Sequence, residues 1–234
     1  MPKPPETSSF KPVDLPKPQS TVARCVTVID FGTIPTEYKG EHSMQRKLYI
    51  AWELPKLQGV FNEDSGPEPF TVGIEVTFST ADKANFSKLI AQWRNRPLNE
   101  KEKKEFDPIV MINKAGLVSF IHKRKAKYMG EDISKATSEN TSMKFNGIGP
   151  LPEGLVCPPM ILKPTKWDWD LITSGQIEFD KEKFEKLPKW IQAKMITSDE
   201  FKKYAKGFDQ AAEEDVPDVD QEEEKIENDD KGGW

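Results

Sequence analysis

Histidine and cysteine are scarce in this 234-residue chain, and their scarcity removes whole classes of chemistry. Only His42 and His122 are present, far apart and without metal-type spacing, so neither general acid–base catalysis nor a histidine-bound metal has an obvious foundation. Cys25 and Cys157 form no close pair of the kind found in zinc sites or redox motifs, and two buried free thiols are expected. The chain also lacks a glycine-rich phosphate loop with its lysine, a G-x-S-x-G elbow and an H-E-x-x-H pair. No apolar run approaches the roughly 18 residues that span a bilayer, and the stretch after Met1 has no apolar segment of the signal-peptide kind. These absences predict a soluble, cytoplasmic protein that is not an enzyme and needs no metal or cofactor.

What is abundant is charge, unevenly placed. From Gly207 to Trp234 there are twelve acids against two lysines, a local charge of −10, whereas the other 206 residues carry 32 basic and 27 acidic groups, or +5. The net charge of −5 therefore averages two parts of opposite sign. The acidic stretch has too little apolar surface to offset the entropy of ordering it, so residues 207–234 are expected to be a disordered tail. Residues 1–20 are rich in proline and are expected to form an extended arm outside the fold.

Between these ends the pattern is mainly β. Thr21–Phe31 is β-branched and stops at Gly32; Gln45–Leu54 alternates and stops at Pro55; Phe70–Ser79 alternates most cleanly. Residues 58–69 read as a long hairpin loop. Phe86, Leu89, Ile90 and Trp93 fall at helical spacing, with Thr80 or Asp82 near the N-cap, and a second short helix is expected over Asn99–Phe106. Strand character resumes at Gly116–His122, continues after a basic turn over Tyr128–Ala136, and returns weakly at Met143–Ile148. Five strands with a helix between the third and fourth is the order of an OB-fold, a small partly open barrel, here over residues 21–149. A proline-rich connector and a helical extension are expected over 150–206.

The run His122–Tyr128 offers Lys123, Arg124, Lys125, Lys127 and Tyr128 between two predicted strands, where a hairpin lays cations beside a groove; a merely solvated turn is the alternative. On the second strand, Leu48, Ile50, Trp52 and Leu54 share one face and Lys47, Tyr49, Ala51 and Glu53 the other. Lys47 and Tyr49 are thus a candidate cation and stacking ring, with Trp52 in the core. Phe70, Val72, Ile74, Val76 and Phe78 point inward by the same rule. Arg94 and Arg96, at a helix end, either clamp phosphates or complement the helix dipole. Asp168 and Asp170 alternate with Trp167 and Trp169 as a surface strand or docking segment rather than a metal site. At the tip, Asp229, Asp230 and Trp234 follow a Gly-Gly hinge, an arrangement suited to a basic-rimmed apolar pocket on another protein.

Taken together, Lys47–Pro55, Thr77–Ser79, Lys83, Trp93–Pro97, Phe106 and Asp107, with Leu187–Gln192 and Ser198–Phe201, resemble phage-encoded single-stranded DNA-binding proteins of the OB-fold type, including the T7-like kind. The resemblance covers scattered short blocks between residues 22 and 206. It implies a barrel that coats single-stranded DNA in replication, recombination and repair, and an acidic tail that recruits replication or recombination proteins and competes with DNA for the groove. The long proline-rich arm and a terminal tryptophan in place of the usual phenylalanine depart from that pattern. A homodimer is compatible with it. Two other readings are a protein-binding adaptor docking through its WDWD and LPKW segments, and an RNA-binding barrel.

Overall fold

The computed structural model describes residues 12–62, 66–130 and 135–205. Its centre is a six-stranded sheet of β1 (Ser20–Tyr38), β2 (Glu41–Asn62), β3 (Gly66–Thr77), β4 (Ala115–Arg124), β5 (Thr141–Gly149) and β6 (Thr165–Trp167). The main path runs β3-β2-β1-β4-β5 with antiparallel neighbours, and β6 lies parallel to β1. β1 is the hub: its first residues pair with β4, Thr27–Ile29 pair with β6, and its other edge pairs with β2. The sheet does not close, although β3 and β5 approach within 8 Å without a shared ladder.

Two cores explain why β1 leaves no residue exposed from Thr21 to Ile34 instead of alternating between buried and exposed positions, since a strand packed on both faces has no solvent side. Ala23, Cys25 and Val28 face the first core, with Trp52, Phe120 and the α1 (Asn85–Arg94) residues Phe86, Leu89, Ile90 and Trp93. Each fully buried ring of this kind contributes about 2–3 kcal/mol through lost water contact. Ile29, Phe31 and Ile34 face a second core built by the C-terminal extension: α3 (Trp169–Thr173), α4 (Lys181–Glu185), α5 (Lys189–Ile196) and α6 (Asp199–Tyr204). The change of face is made by register shifts at Cys25/Thr27 and Asp30/Gly32. Gly32 has φ +80°, and a Cβ there would meet the Glu200 carboxylate at 2.5 Å and Ser198 at 2.9 Å, so only glycine admits the start of α6.

Several local expectations need correcting. β1 continues through Gly32 and β2 through Pro55, the latter at a bulge between Leu54 and Gln58 where proline's missing N–H is tolerated. The supposed long loop is ladder: Gln58 pairs with Pro69, Gly59 with Glu68 and Val60 with Pro67. α1 begins after Ala84, which makes no side-chain cap, rather than at Thr80 or Asp82. α2 (Glu100–Glu105) does carry a capping box between Asn99 and Glu102. Tyr128 and residues 135–136 are not strand; a 3₁₀ turn over Ala126–Tyr128 follows β4, and the fifth strand is Thr141–Gly149. Residues 12–19 belong to the fold. Val13 is buried beside Phe70, its N–H donates to Ser138 Oγ at 2.9 Å, and Leu15 N–H donates to the Ala136 carbonyl at 3.1 Å.

Candidate nucleic-acid interface

Along β4 the residues alternate, with Gly116 buried, the Val118 and Phe120 side chains inward and Leu117, Ser119, Ile121 and Lys123 outward. The register with β5 sets Ile121 beside Lys144 and Lys123 beside Ser142, so two ammonium groups and an exposed isoleucine share the outer face of this end of the sheet. Arg124 falls on the other side, with His122, whose ring lies 2.9 Å from the Pro16 carbonyl and ties the strand to residues 12–19. The chain then turns. Lys125 precedes the 3₁₀ segment and donates from Nζ to the Ser138 carbonyl at 2.9 Å; Lys127 Nζ stands 5.4 Å from the centre of the Tyr128 ring. The Tyr128 hydroxyl donates to the Glu139 carboxylate at 2.9 Å. Lys135, paired with Asp14, lies on the return to β5.

The second candidate group sits in a different environment. Tyr49 does occupy the outer face of β2, but that face is covered: Phe31 stacks beside its ring at 6.3 Å and Trp190 of α5 meets it edge-on at 4.8 Å. Burial pushes the phenol up to about 12, so it stays neutral over the whole physiological range. An open stacking platform at Tyr49 is therefore corrected to a ring clamped between sheet and extension. Lys47, two residues along on the same face, remains half-buried opposite Thr77.

Arg94 and Arg96 are brought together, but by a carboxylate. Arg96 donates to Glu102 at 2.7 and 2.8 Å and Arg94 at 2.5 Å, while Glu102 also accepts from the Asn99 N–H at 3.0 Å. The hydrogen bonds from the two guanidinium groups hold the Glu102 carboxyl well below the usual carboxylate range. This is a lock between α1 and α2, and a phosphate would have to displace Glu102 to use either arginine.

The WDWD segment is also interior rather than a surface strand. Trp167 and Trp169 are 2% and 0% exposed and pack with Phe179 and Phe184. Asp168 caps α3 through the Asp170 N–H at 2.9 Å, and Asp170 pairs with Arg46 at 2.9 Å. Arg46 also binds Asp30, whose carboxyl is pulled upward by burial more than the guanidinium pulls it down. An open cleft of about 630 Å³ beside α2 is lined by Phe78, Phe106, Lys103 and Lys104, but Asp170 lines it too and Lys103 is spanned by Asp82 and Glu100.

Two residues escaped the sequence reading. Lys144 was hidden because the strand that carries it was read only as a weak run over Met143–Ile148, and pairing with Ile121 reveals its face. Tyr38, 55% exposed at the β1–β2 turn with Lys39 Nζ at 5.3 Å, lay beyond the point where β1 was expected to stop. Asp229, Asp230 and Trp234 lie outside the described residues. Among the described residues no helix is long and apolar enough to cross a membrane, and no cluster of three His, Cys, Asp or Glu side chains is arranged to hold a metal ion. No protein-family model, no curated protein and no solved structure matches the chain.

Proposed function

We propose that this protein binds single-stranded DNA without sequence preference, through the outer face of β4 and β5 and the basic turn between them, on a sheet of the OB-fold type. The fold reading is supported by β1 serving both β2 and β4 and by α1 lying between β3 and β4 in the chain, which is the order of a five-stranded OB barrel. The observation that carries the functional reading is the gathering of cations at one end of the sheet. Between residues 122 and 149 six lysines and arginines stand against three acids, with Lys123 and Lys144 side by side around Ile121. Because the extension fills the outer face of β1 and β2, that end is where a strand can lie against the sheet.

The chemistry follows from a flexible polyanion meeting such a ridge. Lys123, Lys144 and the turn residues Lys125 and Lys127 neutralise phosphates and release condensed counterions, with Arg124 reached by a strand that passes around the end of β4, while Ile121 and the Tyr128 ring offer apolar contact to bases of any identity. In the same proposal the −10 tail competes for the ridge, and Asp229, Asp230 and Trp234 engage replication or recombination proteins.

An anisotropy titration with single- and double-stranded oligomers at two salt concentrations tests the reading. Binding should favour the single strand and weaken steeply with salt, and removal of residues 207–234 should tighten it. Salt-insensitive binding, or weaker binding after truncation, overturns the ridge model, and an RNA oligomer of equal length reports whether the sugar matters.

A further inference from the structure

We propose that a second copy of this chain adds to the free edge of β2 at Glu41–Gln45, forming a two-fold symmetric dimer through an antiparallel strand pair centred on Ser43. This inference is independent of the DNA-binding reading. β1 and β2 run on together past the rest of the sheet, pairing from Thr33↔Arg46 to Tyr38↔Glu41. β3 stops earlier: its ladder begins at Lys47↔Thr77, and its last bond to β2 runs from the Phe78 N–H to the Arg46 carbonyl at 2.8 Å. Among the described residues no strand pairs with the outer edge of Glu41–Gln45, where the Gln45 amide oxygen alone accepts a side-chain bond from Thr77 of β3 at 2.9 Å, and these residues are exposed or half-buried, Met44 at 47%.

The two edges of this ribbon are treated differently. Pro35 blunts the β1 edge by removing a donor, whereas the β2 edge carries neither proline nor lysine, the usual protections against strand addition. The phase of the backbone fixes the rest. Since the Arg46 carbonyl points toward β3 and no register shift interrupts Glu41–Arg46, the N–H and C=O groups of Met44 and His42 point to the same, open side.

Only one symmetric register uses all four groups without intruding on β3. With the axis at Ser43, His42 of each copy exchanges both bonds with Met44 of the other, and Ser43 faces its counterpart as a non-hydrogen-bonded pair. Glu41 then faces Gln45 of the second copy, so no like charges oppose one another. Gly40 falls opposite Arg46, where the second copy's chain turns away just as β3 arrives. The Lys39–Gly40 turn has φ of 52° and 81° at its centre, the type I′ geometry that keeps a free-standing ribbon in register.

Sedimentation velocity on the full chain across a concentration series tests this directly. A monomer–dimer equilibrium is expected, weakened about tenfold by Gln45→Glu, which sets carboxylates against Glu41 twice per dimer, and strengthened by Gln45→Lys. Oxidised glutathione should cross-link Ser43→Cys to itself. Glu41→Cys should not cross-link, since the two copies of that position lie roughly 14 Å apart. A chain that stays monomeric, a dimer indifferent to the sign of charge at position 45, or equal cross-linking at positions 41 and 43 overturns the proposal. Unchanged unfolding midpoints for the Gln45 variants ensure that a lost dimer is not a lost fold.

Discussion

The Tyr49 ring lies across Gly73, where a Cβ would stand 2.3 Å from its hydroxyl, and is closed in by Phe31 and Trp190. A ring so placed acts through packing. Tyr49→Ala is expected to lower stability by about 3–4 kcal/mol in urea unfolding, with the affinity of the folded fraction for an oligonucleotide unchanged. A loss of affinity in fully folded protein would return Tyr49 to the interface. Glu102 supports a prediction of opposite chemistry. Its carboxyl is held well below its ordinary value of 4.5 by Arg96 and Arg94, so its contribution is complete above that pH, begins to decline beneath it and is lost as pH falls through the depressed folded value. The melting temperatures of the wild type and Glu102→Gln should therefore differ near neutrality, and the gap should begin to narrow only below about pH 4.5 and persist well into stronger acid.

At the scale of elements, the extension is bolted to the sheet by polar bonds that cross between the two. Glu53, fully buried, accepts the Ile161 and Leu162 N–H groups at 2.9 and 2.8 Å; Arg24 donates to the Pro158 and Cys157 carbonyls; Glu75 pairs with Lys194; and Glu200 takes the Thr33 N–H at 2.6 Å. Ending the chain at Gly149 strands the buried Glu53 carboxylate, leaves Arg24 with only its bonds to Asn113 and uncovers Ile29, Phe31 and Ile34. That fragment is expected to aggregate or to show no cooperative melt, whereas a chain ending at Lys206 should melt like the full protein. The elements themselves were legible to the extent that one periodicity governed them. β3 and α1 each bury one face and read cleanly. β1 was legible as a strand from its β-branched residues, yet its length was hidden because Gly32 and, on β2, Pro55 signal an end unless a bulge absorbs them. The WDWD alternation described a strand edge leading into a helix, and only the partner surface on β1 shows that both indoles are interior.

For the whole molecule the charge ledger and the fold give complementary information. Composition separated a +5 body from a −10 stretch, and that division needs no coordinates. Which cations act together does need them, because Arg94 and Arg96 are spent on Glu102 while Lys144, 21 positions from Lys123, is brought to the same face. The basic run 122–127 was visible as a motif; its alignment with β5 depends on a strand register that a single sequence under-determines. If Lys123 and Lys144 each neutralise one phosphate, replacing both by alanine should lower single-strand affinity and reduce the slope of log K against log salt by about 1.4, roughly 0.7 for each lost contact. The Arg94→Ala and Arg96→Ala pair should leave that slope unchanged and reduce stability instead, since both side chains are held by Glu102. A slope that responds to the arginines and not to the lysines would move the strand to the α1–α2 side of the molecule, away from the β4–β5 face.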